Sequence, residues 1–182
     1  MAEEKLVDGF NIDKFRSNFQ AGARQYLFYM RPNMPVNGFD PNKSIYLVRS
    51  TNLPEATLEE TMVNWQGYDY KMASKYTYAD WEVTFNVDIQ ADIHKWFTKW
   101  MELTHNSETN VHGLPAEYMA DQRVQLLDLN GDPIITYLLL GAWPGTVGAI
   151  DLDYSGTEVA QFPVTFKYQR HEINYIDGVS YS

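Results

Sequence analysis

Cysteine is absent from the 182 residues, so neither a disulfide framework nor a thiolate metal site can shape this chain. No run of eighteen or more apolar residues occurs either, and none of the sequence reads as a membrane-crossing helix. The opening Met-Ala-Glu-Glu-Lys is acidic and lacks the apolar stretch of a secretory leader. Assembly in a cytoplasm, without membrane insertion, is the expectation. Basic side chains are scarce: 14 Lys and Arg stand against 24 Asp and Glu, a net charge of −10. None lies between Val124 and Phe166, a stretch that carries Asp128, Asp132, Asp151, Asp153 and Glu158. Such a balance argues against a protein that grips nucleic acid through its phosphates, although acidity also serves plain solubility.

What the chain has in quantity is apolar and aromatic surface. Forty-five per cent of residues are hydrophobic and 15% aromatic, with 13 tyrosines and 5 tryptophans. That suffices for one domain with a sizeable core, and residues 1–182 are read as one. Tyrosine joins an apolar face to a polar tip, which suits surfaces covered on association as well as β-rich cores.

Periodicity points to a mainly β chain. Ile12, Phe15 and Phe19 suggest a short helix, followed by strands over Arg24–Met30 and Ser44–Ser50. Three prolines and a glycine make 31–43 a loop. Thr57–Trp65 is strand-like. Residues 67–78 set Tyr68, Tyr70, Tyr76 and Tyr78 around Met72, Lys71 and Lys75, the pattern of an extended arm. Trp81, Val83, Phe85 and Val87 alternate with polar neighbours, including Glu82. Ile93, Trp96, Phe97, Trp100 and Met101 form one helical stripe, with Asp88 as the expected N-cap and an end near His105. Asn130-Gly131-Asp132 predicts a hairpin with both Asn and Gly at positive φ. Trp143–Gly148 reads as a turn, Gly148–Tyr154 as a short strand, and Phe162–Tyr168 as a long one with Pro163 at an edge or bulge. Core limits of 15–172 and a tail over 173–182 complete the expectation. The sum is a β-sandwich or barrel of about seven or eight strands with one packed helix. Tyr26–Met30 and Ile134–Leu140 are apolar on both faces, which hints that something covers a second side.

Chemistry is thinly signalled. No phosphate-loop, dinucleotide or nucleophile-elbow motif occurs. His94 and His105 are eleven apart, three helical turns, and read as two exposed histidines rather than a metal pair. Asp151-Leu-Asp153-Tyr-Ser155-Gly156 starts like a calcium loop, but Phe162 stands where the bidentate glutamate belongs, so a polar turn is the default. Glu59 and Glu60 read as an exposed pair rather than as glycosidase acids. No catalytic residue and no cofactor is expected.

One ordered series of motifs does carry a signal. Thr57–Gly67, Lys71-Met-Ala, Thr77–Phe85 with Asp88, and the helix bearing Ile93, Phe97 and Trp100 come first. Val124–Gly131, Tyr137, Leu139, Gly141–Val147, Leu152–Tyr154 and Phe162–Tyr168 follow, with Phe19, Ala23-Arg24 and Leu27-Phe28 near the start. The series, over residues 15–172, resembles the tail tube proteins of contractile phages, related in fold to contractile injection and type VI secretion tubes. The resemblance implies a non-enzymatic virion subunit that closes into rings, usually of six copies, whose strands join into one inner barrel. Rings would stack into a hollow conduit inside a contractile sheath, and DNA would pass through without specific binding. Implied partners are further copies of the chain, the tail sheath, tape measure, baseplate and tail terminator proteins. Tyr68, Tyr70, Met72, Tyr76 and Tyr78 are the candidate interface anchors. Glu82, Asp128, Asp132, Asp151 and Asp153 are the candidate acids of the lumen or outer surface. A tube-like baseplate or initiator protein and a type VI-like tube subunit are the near alternatives. An aromatic-rich, monomeric carbohydrate-binding β-sandwich is the distant one.

Overall fold

The computed structural model describes residues 12–19 and 22–175. Its elements in chain order are α1 (Ile12–Phe19), β1 (Phe28–Arg31), α2 (Pro41–Ile45), β2 (Val48–Thr51), β3 (Ala56–Trp65), β4 (Tyr68–Tyr78) and β5 (Trp81–Asn86). Then come α3 (Asp92–Thr104), β6 (His105–Asn106), β7 (Val111–His112), α4 (Pro115–Tyr118), β8 (Ala120–Leu127), β9 (Pro133–Val147), β10 (Gln161–Lys167) and β11 (Arg170–Tyr175). Seven strands share one sheet in the order β1-β8-β9-β10-β5-β2, with β11 also on β9. β3–β4 and β6–β7 are separate two-stranded units. The fold is mainly β and sandwich-like; among the described residues the sheet does not close into a barrel.

β9 organises the molecule. Residues 135–142 pair with β8 and β11, whereas 143–147 pair with β10, so one strand belongs to both halves. At the change-over Gly141 takes a left-handed φ of 60°, a bend that glycine adopts without Cβ strain. The expected turn at Trp143–Gly148 is therefore strand up to Val147, because β10 supplies the ladder that local turn chemistry would otherwise replace. The strand expected over Gly148–Tyr154 does not form, and that segment is loop.

Pro163 also departs from expectation, for β10 lies between β9 and β5 rather than at an edge. The missing N–H is tolerated because the side of Pro163 that faces β9 lies just past that strand's last residue. There its carbonyl accepts from Gly148 N at 2.7 Å. Gly148 has no room for a side chain: a Cβ would meet the proline ring at 2.6 Å. The bulge falls later, between Thr165 and Phe166.

The core sits between the sheet and α3. Trp81, Val83 and Phe85 of β5, Phe162, Val164 and Phe166 of β10, and Ile93, Phe97 and Trp100 of α3 are all wholly buried. Met30, Val124 and Leu139 bring β1, β8 and β9 into the same cluster. Each large side chain contributes roughly 1.5–3 kcal/mol by leaving water. The indole N–H groups are satisfied, Trp81 donating to Asn52 O and Trp100 to Tyr118 O. Met101, the last member of the expected stripe, is 38% exposed.

Several boundaries moved. Asp40 caps α2 from inside the expected loop by accepting from Asn42 N, which places Pro41 in the first helical turn. Ala91, not Asp88, occupies the N-cap position of α3, although Asp88 Oδ1 still accepts from Ile93 N. Tyr26 precedes β1 and is 74% exposed. In the β8–β9 loop only Gly131 of the Asn-Gly pair has positive φ. Asp128 closes that loop instead, accepting from Asn130 N and Asp132 N at 2.8 and 2.9 Å. Residues 173–175, expected in a tail, complete β11, and 176–182 lie outside the described residues.

Candidate assembly surfaces

Two features stand out as incomplete: a long hairpin that covers nothing, and sheet edges with no neighbour.

The hairpin is β3–β4. Every residue from Glu60 to Thr77 is exposed, and the hairpin meets the body only near its base. There Ala79 N donates to Glu55 O, and Tyr78 packs on Tyr168 and His171. Register sorts its outer half into two unlike faces. Thr61, Val63 and Trp65 oppose Met72, Tyr70 and Tyr68, making an apolar face. Glu60 binds Lys71 at 3.1 Å on the other, more polar face, which also holds Asn64 and Asp69 beside Met62 and Ala73. A register shift between Leu58 and Glu60 separates this half from Leu58 and Tyr76, which pair nearer the base. Trp65, Tyr68, Tyr70 and Tyr76 are 69%, 80%, 65% and 64% exposed. Two antiparallel strands alone are marginally stable in water, and a face this apolar gains by being covered. Of the five expected anchors, Tyr68, Tyr70 and Met72 share the apolar face. Tyr76 lies beyond the shift, and Tyr78 is half-buried at the root. Trp65 and Val63 share the face of the first three, which β3 alone does not reveal because it reads as polar and only cross-strand register unites them.

The open edges belong to β1, β11 and β2, each paired on one side only among the described residues. β1, β8, β9 and β11 form a four-stranded antiparallel half with an open edge at each end. Its core-side face carries Met30, Val124, Tyr137 and Leu139. The opposite face carries Arg31, Arg123, Gln125, Thr136, Leu138, Leu140, Arg170 and Glu172. Arg31 and Arg123 are directly opposite in the ladder. Arg170 binds Glu172 at 2.9 Å.

The expected acids do not gather into one surface. Asp128 is 2% exposed and spends its carboxylate on the β8–β9 loop, so it is no surface charge. Asp132 is exposed in that loop, Glu82 on the outer face of β5, and Asp151 and Asp153 in the 148–160 loop. Asp153 accepts from Ser155 N and Oγ, and these bonds hold its carboxyl below the usual range. Its turn is the polar default. His94 packs edge-on against Phe162, while His105 begins β6 rather than continuing α3.

A charged cluster fixes α3 against α2. Lys43 Nζ reaches Asp88 at 2.7 Å and Asp92 at 2.6 Å, which raises the lysine's pKa. Burial pulls Asp88 upward, but Lys43 and the Ile93 and Asp92 N–H groups outweigh it and hold the carboxyl below its usual value. At the hairpin root, burial beside Tyr78 and Asp80 pushes Tyr168 up to about 12, and burial lowers His171.

Open strand edges and an uncovered apolar arm are features suited to assembly. Comparison with known proteins agrees. The family model described as phage tail tube protein matches residues 13–174. This chain belongs to that family. Among curated tail tube proteins, that of Serratia phage KSP90 is 26% identical over 165 residues, covering 86% of this chain and 93% of the relative. Tail tube protein gp19 of Enterobacteria phage T4 is also 26% identical, over 159 residues, with 85% and 94% covered. A chain of the sheath–tube complex of an extracellular contractile injection system superposes with a TM-score of 0.58 at 13% identity, covering 88% of this chain and 97% of its own. The last shows the shared fold. As a tail tube protein of the contractile-tail kind, the chain is related to virion structural components. The carbohydrate-binding alternative loses its support, since the match is continuous along nearly the whole domain.

Proposed function

We propose that the chain forms the inner tube of a contractile tail, closing into rings of six copies that stack into a hollow, non-enzymatic conduit for DNA ejection. One observation carries the reading. The β1-β8-β9-β11 half has four strands alternating in direction, with an open edge at each end. Because the number is even, β11 of one copy meets β1 of the next in antiparallel sense, and the alternation continues around a ring. Closure of the sheet removes every edge in this half, the general remedy for exposed backbone donors and acceptors. Isologous pairing would leave no such cycle; a head-to-tail repeat does.

In this reading the face bearing Arg31, Arg123, Arg170 and Glu172 lines the lumen, and Asp132 stands at its rim. Glu82, Asp151 and Asp153 lie away from it. The wall is then mixed in charge rather than uniformly acidic, with polar Gln125 and Thr136 between the guanidinium groups. The β3–β4 hairpin is the arm that reaches a neighbouring copy, its Trp65–Tyr68–Tyr70–Met72 face downward on that copy's surface. A sheath would surround the tube, a tape measure protein would occupy the lumen before ejection, and baseplate and terminator proteins would cap its ends. The tube proper is favoured over a baseplate cousin because both curated relatives above are tail tube proteins covered over more than nine-tenths of their length.

The absence of cysteine makes the test clean. Tyr29→Cys and Asn174→Cys, one on each open edge and both on the face that carries Gln125 and Thr136, are combined in one chain and treated with a short bis-maleimide. A ladder of covalent oligomers that ends at six supports the ring. Product limited to monomer, while the protein still assembles, removes the edge-to-edge joint.

A further inference from the structure

A pair of histidines outside these surfaces has no part in the assembly described. His105 and His112 are directly opposite in the β6–β7 ladder, both exposed, with ring centroids 4.2 Å apart and planes 27° from parallel. Sequence inspection sets His105 on one helix with His94, three turns away, and reads them as separate exposed residues. The fold pairs it with His112, because the chain leaves α3 at Thr104 and doubles back.

We propose that His105 and His112 form a two-histidine chelate for a divalent transition cation of the zinc, nickel and copper class. Neutral imidazole is the side chain these borderline ions prefer, whereas calcium and magnesium require oxygen donors. Zinc–nitrogen bonds of about 2.0–2.1 Å place two ligating nitrogens roughly 3 Å apart on one ion. Directly opposed residues on antiparallel strands have Cβ atoms about 4.5–5.5 Å apart. Rotation about the broad χ2 torsions of two stacked rings brings one nitrogen of each to a common point. No third His, Cys, Asp or Glu joins the pair among the described residues, so water completes the coordination sphere.

The scaffold under the pair is built to hold it. Asn106 Oδ1 accepts from both Glu108 N and Thr109 N at 3.0 Å, fixing the turn. Gly113 N donates to Thr104 O at 3.1 Å, and a Cβ on Gly113 would lie 2.3 Å from Leu103 O, so the returning strand is seated tightly on the end of α3. A backbone held in this way leaves only the two side chains to be ordered when the ion arrives. The cation also sits at the C-terminus of a 13-residue helix, where the dipole favours positive charge. The ion would tie the β6–β7 turn to α3 and stabilise this corner of the subunit.

The test uses the untagged full-length chain, titrated calorimetrically with nickel, zinc and copper chlorides. One ion per chain is expected, with affinity reduced at least about tenfold in His105→Ala and in His112→Ala and unchanged in His94→Ala. Copper should broaden the imidazole resonances of His105 and His112 in the unsubstituted protein before those of His94 and His171, a readout that does not depend on the variants folding. Absence of saturable binding overturns the proposal, as does binding that survives His112→Ala or broadening centred on His94 or His171.

Discussion

Replacing Tyr70 by alanine should leave the subunit stable and cripple its assembly. Tyr70 is 65% exposed and lies on the apolar face of the hairpin beside Trp65, Tyr68 and Met72. A tyrosine offers roughly 200 Å² of surface. About 130 Å² of it is therefore still open in the free subunit, and at about 25 cal/mol/Å² its full covering contributes at most about 3 kcal/mol. The retained β-carbon and the polar hydroxyl reduce this to about 2 kcal/mol, or about 30-fold in the affinity of one contact. Within the subunit the same truncation removes almost nothing, so the thermal midpoint should move by less than that expected of about 0.5 kcal/mol. Sedimentation velocity gives the assembly equilibrium and calorimetry gives the midpoint. Unchanged assembly in both Tyr70→Ala and the Tyr68→Ala/Tyr70→Ala double variant would refute the assignment of this face. A large fall in the midpoint with normal assembly would show instead that the face is a stability element.

Phe97→Ala should destabilise the subunit by about 3–5 kcal/mol in chemical denaturation, because the wholly buried ring touches Phe85, Phe162 and Phe166 at the centre of the core. Gly148→Ala should cost about 1–3 kcal/mol by the same assay, since the added Cβ runs into the ring and carbonyl of Pro163. The acid limb of stability should depend on Lys43. Asp88 and Asp92 have carboxyls held below their usual value of 3.8, so their contribution is present above that pH and is lost as pH falls through the lowered values. Lys43→Met should lower the thermal midpoint at pH 7 and flatten its decline as the pH falls below 3.8; parallel curves for the two proteins would contradict the linkage.

The sequence showed its periodic elements well and its long-range ones poorly. Trp81–Asn86, α3 and the β8–β9 hairpin carry their own patterns, and all three formed. Pro163 misled because a local rule about missing donors was applied without knowing that β9 ends beside it. Trp143–Val147 looked like a turn because Pro and Gly dominate it, yet β10 holds it extended. The apolar face of the hairpin was legible in part: four tyrosines in twelve residues marked β4, but Trp65 and Val63 joined Tyr68 and Tyr70 only through register. Asp128 could not be told from the other acids, since its burial follows from closing a loop on its own carboxylate. His112 stayed hidden because its contact with His105 depends on a chain reversal through two short strands, which no local pattern after α3 announces.

The proposed ring depends on one joint, the open edge of β11 meeting the open edge of β1 in the next copy. Cryo-electron microscopy of the purified chain, concentrated until it associates, views that joint directly. Hollow rings are predicted, with β11 of each subunit hydrogen-bonded antiparallel to β1 of its neighbour and the Arg31–Arg123 face turned to the hole. Rings closed through other surfaces with both edges left bare, or a protein that remains monomeric at millimolar concentration, would contradict it.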